Sequence, residues 1–87
     1  MDEAAVKTFL NIKPGDTEDT FAGFMAVRGG DLTASVADYL ENAVDAGSKN
    51  GSGEYTAWCG QAAKDIMSGK YGSLADVQKA ADAFAAS

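Results

Sequence analysis

The chain has no histidine, a single cysteine (Cys59) and a single proline (Pro14). Without imidazole it lacks the side chain that most often moves protons near neutral pH, and a zinc site would be missing its usual ligands. One cysteine rules out a disulfide within the chain, and nothing calls for an oxidising compartment. Positive charge is scarce as well: seven Lys and Arg stand against thirteen Asp and Glu, for a formal net charge of −6. The imbalance is confined to one half, because residues 1–46 carry nine acidic and three basic side chains whereas 47–87 carry four of each. Direct binding to nucleic acid runs on clustered Lys and Arg and is disfavoured, so a protein partner with a basic surface is the easier expectation. No window reaches the length of an apolar membrane span and no basic leader precedes an apolar run, so a cytoplasmic protein without membrane contact is expected.

Alternating apolar and polar stretches of the kind a half-buried strand needs are also absent, and β-branched residues are few. What is present is alanine, which supplies 17 of the residues in the 46 % apolar fraction. Alanine favours helix and close helix packing but buries little area, so a thin core follows in 87 residues. The class is all-α: a compact three-helix bundle over 1–46, a Gly/Ser-rich connector over 47–53, and a helical hairpin over 54–87 that could pack on the bundle as one domain, about five short helices in all.

Along the chain, Val6, Phe9 and Leu10 behind the capping candidate Asp2 predict a short amphipathic helix ending near Asn11. Lys13-Pro14-Gly15 breaks it. A second helix is expected from about Asp16 or Thr17, with Asp16, Glu18 and Asp19 at the positive end of its dipole and Phe21, Phe24 and Met25 on its apolar face. Gly29-Gly30 ends it, one of the two in a left-handed conformation, and Asp31 caps a third helix marked by Leu32, Ser35, Val36, Tyr39, Leu40 and Ala43. The run GSKNGSG over 47–53 reads as flexible. Beyond it Tyr55, Trp58, Cys59, Ala62 and Ile66 form one helical stripe, and Ser73 caps a last helix with Leu74, Val77, Ala81 and Phe84 inward. FMAVRGGDL (24–32) and IMSGKYGSL (66–74) echo one another, each ordering helix end, glycine, cap and leucine in turn.

Little here supports catalysis, and no enzyme activity or cofactor is expected. Asp16, Glu18 and Asp19 lack the spacing of a calcium loop and read as a solvated first turn. Cys59, beside Trp58 on an apolar stripe, reads as a small core residue rather than a nucleophile. Gly29-Gly30 has no preceding strand and no following Lys-Ser/Thr, so it is not a phosphate loop. Trp58 itself is expected in the core, since so small a protein has few large side chains to leave in water.

Read from Phe9, the stretch FLNIKPGDTEDTFAGFMAVRGGDLTASVADYLEN resembles the UBA-like domains of ubiquitin adaptors of the FAS-associated-factor and UBX type. The residues that carry the resemblance are Phe9, Ile12 and Gly15; Phe24 and Met25; and Gly29, Asp31, Leu32, Ser35, Val36, Tyr39 and Leu40, over residues 9–42. Pro14 stands as an insertion in the first loop, Gly30 where these adaptors often carry Trp, and Ser35 where Ala is usual. The same three-helix unit also occurs in translation elongation factor Ts and in nascent-chain factors. What the resemblance implies is a small non-catalytic interaction module, with an apolar patch of Ile12, Pro14 and Gly15 from the first loop and Leu40, Ala43 and Val44 from the end of the third helix, docking weakly on ubiquitin or a ubiquitin-like partner. The alternative, which needs no family, is a stand-alone acidic inhibitor or decoy of phage type that covers a basic surface of a nucleic-acid-binding partner.

Overall fold

A computed structural model describes residues 1–13, 15 and 20–87. Five α-helices run in the order α1 (Glu3–Phe9), α2 (Thr20–Val27), α3 (Leu32–Ala43), α4 (Gly53–Met67) and α5 (Leu74–Ala86), with a 3₁₀ turn at Gly47–Lys49 between α3 and α4, and no strand among the described residues. The class is all-α. The expected start of the second helix and its acidic residues at 16, 18 and 19 lie outside the described residues, as does Pro14.

The helix starts are locally encoded. Asp2, Asp31, Ser52 and Ser73 each accept a hydrogen bond from the backbone N–H three residues on, at 2.8, 3.1, 3.1 and 3.3 Å. Three of these caps are legible from sequence; Ser52, inside the glycine-rich run, is not.

Three of the described helix ends, those of α1, α2 and α4, share one device. After α2, the N–H of Gly30 reaches the Met25 carbonyl at 2.8 Å and that of Gly29 reaches Ala26 at 3.3 Å, which is the double bond of a Schellman ending. Both glycines have positive φ, +61° and +85°, so both, rather than one as expected, sit where an L side chain is strained. The ends of α1 and α4 repeat the pattern at Asn11 and Gly69. The left-handed residues Gly29 and Gly69 stand two and four residues ahead of the next cap, so the echo between 24–32 and 66–74 is not in register and reflects shared helix grammar.

One cluster of buried side chains runs through both halves of the chain: Val6, Leu10, Phe21, Val36 and Leu40 pack with Tyr55, Cys59, Ile66, Val77 and Ala81. The hairpin of α4 and α5 therefore shares its core with the first three helices. Ser35 is fully buried, and its hydroxyl is satisfied by donating to the Asp31 carbonyl at 2.7 Å. Trp58 departs from expectation: it is half-buried and stacks on Phe84, ring centres 5.5 Å apart, closing the edge of the core rather than filling its middle.

The glycine-rich run is tied down. The Asp45 carboxylate accepts from the Gly47 N–H at 2.8 Å and from the Asn50 amide at 2.6 Å, and the Asn50 side chain accepts from the Ala46 N–H at 2.8 Å. The Lys49 ammonium lies 4.4 Å from the Phe84 ring centre and donates to the Phe84 carbonyl at 2.7 Å, fastening the run to the last turn of α5. Composition alone suggests a slack linker; polar side chains that find long-range partners make it a staple instead.

Candidate functional site

The surface expected at the end of the third helix is built from residues that the fold uses internally. Leu40 is fully buried and Val44 is 5 % exposed. The cause is α4, which lies along α3 and sends the Tyr55 hydroxyl to the carbonyls at the α3 exit: 2.7 Å to Val44, with Leu40 and Glu41 at 3.2 and 3.3 Å. The last carbonyls of a helix have no partner within it, and here one phenol serves as their cap. Burial holds the Tyr55 hydroxyl above its ordinary pKa and so keeps it a donor. The backbone beyond is satisfied in the same way, because Gln78 of α5 accepts from the Asp45 N–H at 3.0 Å and donates to the Asp45 carbonyl at 2.9 Å. Of the expected patch, Ile12 and Ala43 are half-buried, Gly15 is exposed with φ +83°, and Pro14 lies outside the described residues. Leu40 and Val44 are core residues, so neither side chain is open to a partner in this arrangement.

Apolar exposure falls elsewhere. The α2 sequence TFAGFMAV contains no charged side chain. Phe21 turns inward, fully buried and edge-on to Tyr39 at 6.2 Å, with Phe24 and Met25 half-buried beside it. The opposite side, Ala22, Gly23, Ala26 and Val27, is exposed, and Val27 at 81 % is the most exposed large apolar side chain among the described residues. A helix without a polar face normally belongs inside a core; this one has half of its circumference in solvent. Composition held this signal, since eight consecutive uncharged residues in an acidic half-chain stand out, but the count of apolar positions cannot say which side is left open.

An ion pair lies just beyond the end of this helix. Arg28, the first residue beyond α2, makes a two-pronged pair with Asp38 of α3, Nε to Oδ2 and Nη2 to Oδ1 both 2.7 Å. The hydrogen bond from Arg28 holds the Asp38 carboxyl below its usual range, and the same contact raises the guanidinium pKa, with smaller contributions from the carboxylates of Asp31 and Glu41. Arg28 is thus spent on Asp38, while Asp31 and Glu41 remain exposed close by.

Burial pushes the Cys59 thiol up to about 11, so it is a protonated core group, as its position on the apolar stripe suggests. Among the described residues no three Cys, Asp or Glu side chains converge as a metal site would require. A shallow cleft of about 430 Å³ between α1 and the start of α5 has Phe9 and Leu74 among its lining. Two of the hydroxyls there serve the backbone, Thr8 bonding the Ala4 carbonyl and Ser73 capping α5.

Among the described residues the fold is an all-α bundle of five helices with an uncharged side of α2 in solvent, in a chain of net charge −6. Compared with family models, curated proteins and solved structures, the chain matches none. No helix among the described residues is long and apolar enough to cross a membrane.

Proposed function

We propose that the chain is a small non-catalytic protein-interaction module that docks through the outer face of α2. The observation that carries this reading is the solvent-exposed, uncharged side of Ala22, Gly23, Ala26 and Val27 on a helix whose other side is packed into the core. An apolar helix face held rigid by a buried Phe and a bidentate ion pair is a preorganised contact surface, which lowers the ordering cost of binding. The order of three short helices is what a UBA-like unit would have, and a weak apolar contact suits such a unit. Docking on ubiquitin through Leu40 and Val44 would require α4 to leave α3, so α2 is the better-supported surface.

A photo-crosslinking side chain placed at Val27, compared with one at the exposed Ala83 of α5, tests the reading in the cells that produce the protein. A discrete protein adduct formed at Val27 and not at Ala83, and competed by excess unmodified chain but not by the Val27→Asn variant, is the expected result. Equal, diffuse labelling at both positions would rule α2 out as the docking face.

A further inference from the structure

We infer that Asn50-Gly51 is a site of spontaneous deamidation, one that the fold holds in check by gripping the Asn50 side-chain amide at both ends. The site lies in the loop between α3 and α4 and is independent of the docking reading. An asparagine followed by glycine is the pair in which this reaction meets least hindrance, because no Cβ shields the attacking nitrogen. Both residues are exposed to water. The fold itself calls for the pair: Gly51 has φ +78°, which strains an L side chain, and the Asn50 amide ties the loop together. Among the described residues nothing accepts a hydrogen bond from the Gly51 N–H, so the nucleophile is free. In the reaction the Gly51 nitrogen bonds to Cγ of Asn50 and closes a cyclic imide, the Cγ–Nδ2 bond breaks, and ammonia departs with the proton that the Gly51 nitrogen gives up. Water, the only co-reactant, then opens the imide at either carbonyl and leaves aspartate or isoaspartate.

The restraint is visible atom by atom. Asn50 Oδ1 accepts from the Ala46 N–H at 2.8 Å, while Nδ2 donates to Asp45 Oδ1 at 2.6 Å. That second bond, with the Gly47 N–H adding another, holds the Asp45 carboxyl below its usual range and keeps it a charged acceptor. The backbone is pinned on either side, the Asn50 N–H to the Gly47 carbonyl at 3.2 Å and the Ser52 N–H to the Lys49 carbonyl at 3.1 Å. Ring closure needs the Gly51 nitrogen swung to the Cβ side of Asn50, and a ψ of 136° leaves it turned away. Reaction therefore runs from a locally opened loop, and its rate scales with the population of that state. The change is one-way. An aspartate at position 50 puts a carboxylate oxygen where Nδ2 donated to Asp45, and like charges at that separation repel, so the grip does not re-form.

The test follows deamidation of the purified chain at neutral pH by mass spectrometry of its fragments, with an isoaspartate methyl-acceptor assay to identify the product and the free peptide GSKNGSG as the unrestrained reference. Conversion confined to Asn50, with Asn11 and Asn42 untouched, and slower than in the peptide by about tenfold or more is expected. Asp45→Ala should speed it by about tenfold, the effect on an opening equilibrium of losing a hydrogen bond to a charged group. Gly69→Ala, which strains the backbone at the far end of α4, should leave the rate near that of wild type and so separates opening of the loop from loss of the fold. Asn50→Asp, a mimic of one product, should speed amide hydrogen exchange at Ala46 and Gly47. Wild type reacting as fast as the peptide, or Asp45→Ala no faster than wild type, would overturn the grip. Equal acceleration by Gly69→Ala would do the same, because the reaction would then run through global unfolding. Unchanged exchange in Asn50→Asp would overturn the one-way opening.

Discussion

The Tyr55 hydroxyl ends α3 and fastens α4 to it through the same contact. Tyr55→Phe keeps the ring and strips the cap from buried carbonyls, so it should cost about 1–2 kcal/mol in urea unfolding, the usual penalty for a buried acceptor left without its partner. Position 55 is plain in the sequence as part of an apolar stripe, yet its polar role is not, because the carbonyls it serves lie 11 to 15 residues earlier and are brought to it only by tertiary packing. Gly29 and Gly30 are the converse case, readable at once because a helix end is a local event. Nothing lies within 4 Å of a Cβ built at either position, so the strain of an L residue there is purely that of the backbone. Gly29→Ala and Gly30→Ala should therefore each destabilise by about 1 kcal/mol in thermal or urea melts, with partner binding retained while the protein stays folded.

At the scale of elements, α2 is held on α3 by Phe21 beneath and by the Arg28–Asp38 pair at its end. The lowered carboxyl of Asp38 makes that tie pH-dependent with a definite sign. A carboxylate whose folded pKa is depressed lends stability that is complete above its unfolded value, near pH ~4, and is lost as pH falls through the folded value. Wild type should thus lose stability on acidification more steeply than Asp38→Asn, while being the more stable of the two at pH 7; unfolding curves along a pH series would show it. The last turn of α5 depends on Lys49 in the same element-on-element way, its ammonium donating to the Phe84 and Ser87 carbonyls at 2.7 and 3.0 Å. Lys49→Gln should speed amide hydrogen exchange in that turn selectively, leaving α3 and the middle of α4 protected. Composition reads 47–53 as slack because it registers glycine and serine and cannot register where the side chains of Lys49 and Asn50 will land.

For the molecule as a whole, α4 decides what the first three helices can present. Helix class, number and order were legible, because apolar spacing, caps and glycines are short-range features. The resemblance of residues 9–42 to UBA-like units implied a docking patch shared by the first loop and the end of the third helix, and a stretch read by itself gives no sign that residues 53–67 will cover that helix end. Burial of Leu40 and Val44 and exposure of Val27 are two sides of one arrangement: the later helices close over α3 and leave α2 as the uncharged face in water. Methyl-labelled protein titrated with a soluble paramagnetic chelate reads that arrangement directly, since relaxation enhancement tracks solvent access methyl by methyl. The account predicts strong enhancement at Val27 and little at Leu40 or Val44. Comparable enhancement at all three would mean that the end of α3 is open, and would return the docking surface to the first loop and the third helix.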